Sequence, residues 1–194
     1  MDNTMIQGWK LTAFEEKIKL AKKQIEKKSV DISKIIEKIK EGLDSKGLKG
    51  TYEIYSLRGL SEIREWEKKH KDECARSVFL KFENENRVAV VGAGEKRLVF
   101  SKVGKNSKCK VSALMANCGC DWSEDDKKEV IRIVFCEGSF DGIHVEEKTE
   151  FLKYRDGIEY LVGEILIKND VPIIDILSHR NWKLDKANIL LSKS

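Results

Sequence analysis

Cysteine and histidine side chains are the groups of this chain best suited to hold a transition metal, because thiolate sulfur and imidazole nitrogen suit tetrahedral zinc. The 194 residues include five cysteines and three histidines. The candidate zinc ligands are Cys118, Cys120, Cys136 and His144, with Cys109 as an alternate. A single residue separates Cys118 from Cys120, whereas structural zinc sites usually space such a pair by about two to four residues. The spacing therefore favours buried free thiols over a zinc site.

Acidic side chains form a second candidate site. Asp141 is followed by Glu146 and Lys148, which resembles in outline the Asp…Glu-x-Lys arrangement of metal-dependent nucleases of the restriction-enzyme type. The resemblance implies two carboxylates that bind Mg²⁺ and a lysine that helps to activate water. On an extended strand, however, Asp141 and Glu146 would lie about 17 Å apart on opposite faces, so Asp126 is the alternative partner for Glu146. Surface charge on a strand edge is the simpler interpretation of these side chains.

Lysine side chains near the N-terminus are the candidates for contact with phosphate. Residues 1–50 contain twelve Lys, no Arg and eight acidic residues, so they hold the whole net charge of +4 while residues 51–194 are neutral. Electrostatic attraction to nucleic acid should therefore be concentrated in this region, with Lys22 and Lys23 as candidate contacts. A solvated helix face is the simpler interpretation, because Lys-rich helices commonly serve only solubility.

The stretch from Val130 to Lys168 contains the candidate protein-contact surface. Residues 130–136 are apolar at nearly every position, which predicts a strand covered on both faces. Residues 143–168 predict two further strands joined at Asp156-Gly157, because Asp-Gly is typical of a two-residue hairpin loop. Loops of this kind are frequent recognition sites. The tip residues that would contact a partner are Lys153, Tyr154 and Arg155.

These candidate sites depend on a scaffold that begins with helices. A stripe of apolar residues at helical spacing comprises Phe14, Ile18, Ala21 and Ile25. An isoleucine-rich stripe follows Asp31, which suits a helix cap, so the region predicts either two helices or one bent helix. Glycines between residues 42 and 50 mark the exit from this region. We therefore predict a helical arm over residues 1–46 and an α+β globular domain over residues 47–194.

The fold class that we expect is α+β, with an N-terminal helical element followed by a largely antiparallel sheet and flanking helices. The sheet should contain about six to eight strands, because short alternating runs recur along the chain. The predicted strands outside the hairpin are residues 51–56, 78–82, 87–91, 96–102 and 130–136. The predicted helices of the globular domain are residues 61–74, residues 111–117 and a helix capped by Asp170.

The function that we expect is non-enzymatic binding of a protein partner through the helical arm and the hairpin tip, including self-association through the N-terminal helices. One alternative is a metal-dependent nuclease or phosphodiesterase that uses acidic residues of the 121–164 region. A second alternative is a nucleic-acid-binding protein that uses the Lys-rich helices. No cofactor is favoured, and Mg or Zn belongs to the alternatives. The first residues lack a secretory signal and no apolar run has transmembrane length, so we expect a cytoplasmic protein without membrane contact.

Overall fold

The computed structural model describes residues 5–6, 9–83, 87–94, 97–100, 110–120, 126–136 and 148–175. Its strands are β1 (Met5–Ile6), β2 (Trp9–Lys10), β3 (Tyr52–Arg58), β4 (Ser77–Glu83), β5 (Arg87–Ala93) and β6 (Glu129–Phe135). Its helices are α1 (Leu11–Ile25), α2 (Ile32–Asp44), α3 (Leu60–Lys69), α4 (Lys71–Ala75), α5 (Lys110–Asn117) and α6 (Lys148–Lys168). β3, β6, β4 and β5 lie side by side in that order in an antiparallel sheet, and β1 pairs with β2. These helices and strands confirm the predicted α+β class.

Strand register gives the four-stranded sheet two different faces. β6 is an internal strand, paired with β3 on one side and with β4 on the other. Leu80 of β4 lies opposite Ile131 of β6, and the neighbouring pair, Phe79 and Arg132, belongs to the other face because side chains alternate along a strand. Six of the seven residues of β6 are buried, from Val130 to Phe135. The predicted strand covered on both faces is therefore confirmed.

Helices α2 and α6 cover the first face of the sheet. Ile35, Ile39 and Leu43 of α2 are fully buried and recur every fourth residue, as one face of a helix requires. They belong to the same apolar cluster as Leu80 and Ile131 of the sheet. The isoleucine stripe is thus part of the protein's own core.

The N-terminal region contains two helices rather than one bent helix. Asp31 ends the link between α1 and α2 and caps α2, because its carboxylate accepts a hydrogen bond from the Ser33 backbone N–H at 2.8 Å. α1 packs against α5, with Phe14 and Ala21 in one apolar cluster with Leu114. Both predicted stripes therefore face other parts of the chain.

Helix α3 and the segment 97–100 cover the second face of the sheet. Ile63 and Trp66 of α3 form an apolar cluster with Phe79 of the sheet and with Leu98. Leu98 is fully buried although its segment is not part of a strand. Charged groups on this face also connect α3 to the sheet.

The predicted hairpin at Asp156-Gly157 is wrong, because residues 148–168 form α6. The buried side chains of its second half include Ile158, Leu161, Val162 and Ile165. They recur three or four residues apart, which is helical spacing. α6 contains two glycines, Gly157 and Gly163, and burying this stripe outweighs their cost of about 1 kcal/mol each inside a helix. Residues 153–155 consequently lie within a helix and not at a hairpin tip.

Two smaller predictions are also wrong. Residues 97–100, predicted to belong to a strand, are not in one, because side chains of α3 and β4 bind their backbone groups. Asp170, predicted to cap a following helix, adopts a positive φ of 58° and follows the end of α6. Residues 171–175 are not helical. The boundary between an arm and a globular domain stays a prediction.

Candidate binding surface

The amphipathic pattern of α3 determines which of its side chains reach solvent. Its inner face buries Ile63, Trp66 and Glu67, positions three and four residues apart. The outer face exposes Lys68 and Lys69 at the end of the helix. Positive charge therefore collects at the C-terminal end of α3, where it also complements the helix dipole.

A break at His70 turns this charged end into a groove. His70 has non-helical backbone angles, ends α3 and directly precedes α4. The break lets α4 turn away from the axis of α3, and β4 begins two residues after α4. The result is an open groove of about 580 Å³. Its lining residues are Lys68, Lys69, Lys71, Asp72, Glu73 and Arg76.

The groove has a net positive charge. Four of its lining side chains are cationic and two are carboxylates. Lys69 forms an ion pair with Glu65 at 2.6 Å on the outer surface. Lys68 and Lys71 are exposed, and neither forms an ion pair within the described ranges. Two lysines are thus available to an anionic ligand.

Three aromatic rings pack against one another where α3 meets β3. The His70 ring stacks on the Trp66 ring, with centroids 4.6 Å apart and planes at 12°. Tyr55 of β3 lies against both rings, at centroid distances of 5.1 Å and 5.9 Å. Trp66 is buried, whereas Tyr55 and His70 remain partly exposed. The three rings therefore form one packed group, of which Tyr55 and His70 reach the surface in part.

A hydrogen bond and partial burial favour the protonated form of the Tyr55 phenol. A hydrogen bond to the Glu53 carboxylate, together with burial and the negative charge of Glu73, raises the pKa of Tyr55 to about 12. The phenol therefore stays protonated, as a hydrogen-bond donor, across the physiological range.

A buried ion pair connects α3, which lines the groove, to β6 of the sheet. Arg132 Nη2 lies 3.2 Å from Glu67 Oε1, and Arg132 Nη1 donates to the Ser77 hydroxyl at 2.9 Å. The same Glu67 oxygen accepts a hydrogen bond from the Leu98 backbone N–H at 2.7 Å. Arg64 pairs with the other Glu67 oxygen and donates to the Leu98 carbonyl at 2.8 Å. One carboxylate thus connects α3, β6 and the segment that contains Leu98.

A second group of cations on the same face surrounds the Phe100 ring. Arg64, Lys81 and Lys128 each place their charged end 5.8 Å from the ring centroid. Lys81 also donates to the Val99 carbonyl at 3.2 Å. Lys81 and Lys128 are buried, and cation–π contact stabilises such desolvated charges. The charges of Lys81 and Lys128 are therefore buried, whereas the lysines that line the groove are exposed.

The structure places the predicted phosphate contacts on the exposed surface of α1. Lys22 and Lys23 are both exposed. Other lysines of the N-terminal region are neutralised within the chain, because Lys17 pairs with Asp175 at 2.8 Å and Lys27 pairs with Asp170. The local excess of positive charge on this region is consequently smaller than its sequence predicted.

The predicted zinc ligands fall in different surroundings. Cys118 and Cys120 belong to the apolar cluster between α1 and α5, whereas Cys136 is exposed at the end of β6. Burial raises the pKa of the Cys118 thiol. Across the ranges that the structure describes, no group of three or more His, Cys, Asp or Glu side chains could hold a metal ion. Cys109 and His144 lie outside those ranges.

Of the four residues predicted to be catalytic, the structure describes two, Asp126 and Lys148. Asp126 is exposed in the turn before β6. Lys148 is the first residue of α6 and therefore not part of the predicted strand. Asp141 and Glu146 lie outside the described residues. The nuclease arrangement stays a prediction.

Sequence reasoning missed the groove, although all of its lining residues fall between residues 68 and 76. The run KKHKDECAR, residues 68–76, contains four Lys or Arg and two acids within a region that is neutral as a whole. The sequence predicts a single helix over residues 61–74, and a continuous helix would distribute these charged side chains over all of its faces. The available signal was His70 between Lys69 and Lys71, since a residue with poor helix propensity allows a break.

Comparison with known proteins leaves the class of the protein open, since no family model, no curated protein and no solved structure matches the chain. Among the helices that the structure describes, none is long and apolar enough to cross a membrane.

Proposed function

We propose that this protein is a non-enzymatic binding protein that engages an anionic partner through the groove between α3 and α4. The observation that supports this most directly is the pair of exposed lysines, Lys68 and Lys71, in a groove with a net positive charge. A positively lined concave surface attracts anions and raises their local concentration. Both partner classes expected from the sequence, protein and nucleic acid, offer such charge.

The shape of the groove favours binding over catalysis. Catalytic sites gain much of their effect from excluding water around the reacting groups. This groove is open, and its walls are charged side chains. Charged walls in contact with water suit reversible recognition of a large charged surface, where many weak contacts add up.

The test measures binding of three labelled polyanions to the full-length protein: heparin, poly-L-glutamate and oligo-dT. Fluorescence anisotropy is recorded at several salt concentrations, because an electrostatic contact weakens as salt rises. The double variant Lys68→Glu, Lys71→Glu should lose most of the affinity. The matched control is Lys46→Glu, Lys49→Glu, which changes net charge equally at two exposed lysines between α2 and β3.

Two results would contradict the proposal. Failure of the wild-type protein to bind any of the three polyanions would remove its basis. Equal loss of affinity in both double variants would mean that binding follows net charge and not the groove. Thermal unfolding of each variant confirms that the fold is retained.

A further inference from the structure

We propose that the outer edge of β3 pairs with the same edge of a second copy of this chain, in an antiparallel register centred on Ile54. The two four-stranded sheets then form one continuous antiparallel sheet. This surface is separate from the groove, because no residue of β3 lines the groove. The supporting observations are the backbone groups that β3 leaves unpaired and their match to those of a second copy.

The register of β3 with β6 shows which backbone groups of β3 face the edge of the sheet. Just beyond one end of the strand, the Gly59 N–H donates to the Lys128 carbonyl at 2.7 Å. Just beyond the other end, the Cys136 N–H donates to the Thr51 carbonyl at 2.9 Å. Both pairs continue the register of the two strands, so odd-numbered residues of β3 bond to β6 and even-numbered residues direct their N–H and C=O away from it. The even-numbered residues are Tyr52, Ile54, Ser56 and Arg58.

Within the described ranges, three of these four residues leave both outward backbone groups unpaired. The Arg58 N–H is covered, because the Glu62 carboxylate accepts a hydrogen bond from it at 3.1 Å. The outward N–H and C=O groups of Tyr52, Ile54 and Ser56 form no hydrogen bond with another described residue. Ser56 is exposed and the other two are half-buried. A row of such groups at the edge of a sheet is a template for another strand.

β3 lacks the features that usually protect an edge strand from pairing. Natural edge strands are commonly short, bulged, or interrupted by proline or lysine. β3 has seven residues, YEIYSLR, with neither proline nor lysine, and its register with β6 is continuous. The other edge strand of the sheet, β5, has a register shift against β4. The regular backbone of β3 therefore suits pairing with an extended strand.

The unpaired groups of β3 match those of a second copy of β3 in one register. Residues at alternate positions of an antiparallel pair exchange two hydrogen bonds. With Ile54 opposite Ile54 of the second copy, Tyr52 lies opposite Ser56, and every unpaired group of both strands is used. A shift of two residues in one direction pairs Tyr52 with Arg58, whose N–H is already bonded. A shift in the other direction pairs Ser56 with Gly50, whose φ of 80° does not suit a strand.

The side chains that this register brings together are also compatible. Ile54 meets Ile54 of the second copy on the first face of the sheet, beside the apolar cluster that it packs against. On the second face, Glu53 lies opposite Tyr55 of the second copy. The Glu53 carboxylate accepts a hydrogen bond from the Tyr55 hydroxyl within its own chain, so the same donor and acceptor can pair across the interface. No like charges of β3 lie directly opposite each other, an arrangement that would destabilise the pair. This self-complementarity favours a second copy over a strand of another protein.

The first experiment measures the mass of the full-length protein by sedimentation velocity at increasing protein concentration. The wild type should form a dimer as the concentration rises. Ser56→Pro should raise the dissociation constant of the dimer by about tenfold or more, because each dimer loses two hydrogen bonds and the proline ring occupies the edge. The bonds between β3 and β6 are kept, since the Ser56 N–H points away from β6. Ser56→Thr retains this N–H, so it is the matched control and should dimerise like the wild type.

The second experiment locates the interface in the wild-type protein without a substitution. Amide hydrogen exchange is followed by NMR in a dilute and a concentrated sample. The amides of Tyr52, Ile54 and Ser56 should exchange about tenfold more slowly in the concentrated sample, because they become hydrogen-bonded in the dimer. The Arg58 amide is already bonded to Glu62, so its exchange should not change with concentration.

Three outcomes decide between this dimer and the alternatives. Concentration-dependent dimerisation that Ser56→Pro weakens, with slowed exchange at the three amides, supports the inference. A wild type that stays monomeric at every concentration overturns it and leaves the edge of β3 to a strand of another protein. A dimer that forms equally well in Ser56→Pro, without slowed exchange at these amides, also overturns it, because association then uses another surface. Thermal unfolding of both variants checks that the sheet is retained.

Discussion

At the scale of single residues, Glu67 is a buried charged group that connects three parts of the chain. Its side chain is buried, and its two oxygens serve Arg132, Arg64 and the Leu98 backbone N–H. Removing one member of a buried ion pair leaves the other charge desolvated without compensation, which typically costs about 3–5 kcal/mol. We therefore expect Glu67→Gln to destabilise the protein by an amount in this range, measured by urea unfolding.

A matched substitution on the outer face of the same helix tests this reasoning. Glu65 is exposed and pairs with Lys69 on the surface, so Glu65→Gln should leave the unfolding midpoint nearly unchanged. Equal unfolding curves for Glu67→Gln and the wild type would show that the buried carboxylate contributes nothing to stability. The sequence could not predict this network, because Glu67 and Arg132 are far apart in the chain and nothing in either neighbourhood indicates the other.

At the scale of elements, the packing of α2 against α6 depends on a glycine. A Cβ atom added at Gly42 would lie 2.6 Å from two carbons of the Ile165 side chain. Ile165 is buried in the core of the first face, so it has little room to move. Gly42→Ala should therefore destabilise the protein by about 1–3 kcal/mol, although alanine is the better helix former by about 1 kcal/mol.

A substitution of Ile165, whose side chain would contact the new methyl group, provides the control for the Gly42→Ala prediction. Ile165→Ala removes all three carbons that would crowd the new methyl group, so the double variant Gly42→Ala, Ile165→Ala should be more stable than the two single effects added together predict. Calorimetric melting of the four proteins measures this coupling. A Gly42→Ala protein that melts above the wild type would show that the helices do not approach so closely.

Helices and strands were predicted correctly where the sequence contained a single pattern of apolar residues and no competing turn signal. α2 was predicted because its apolar residues recur at helical spacing, and β6 because its residues are apolar at nearly every position. α6 was missed because Asp156-Gly157 is a strong local turn signal, while the helical stripe from Ile158 onward becomes visible only over several turns. Packing of that stripe against the sheet is a long-range effect, and it determined the local structure. The groove was also missed, because it depends on a helix break at a single residue, His70.

At the scale of the whole molecule, the burial of the N-terminal helices decides whether residues 47–194 can fold without residues 1–46. Ile35, Ile39 and Leu43 of α2 are fully buried in the cluster that also contains Leu80 and Ile131 of the sheet. Each such side chain contributes about 1.5–3 kcal/mol by burial. Their summed loss is comparable with the entire stability of a typical domain, about 5–15 kcal/mol.

Deletion of residues 1–46 should therefore abolish cooperative unfolding of the remaining chain, rather than leave an independent α+β domain. Circular dichroism with thermal melting measures this, and binding of a hydrophobic dye reports the exposed sheet face. Leu43→Ala in the full chain is the graded control and should cost about 2–5 kcal/mol while the fold is retained. A truncated protein that melts sharply would instead establish the predicted two-domain division, with the sheet's first face sufficiently covered by α6 alone.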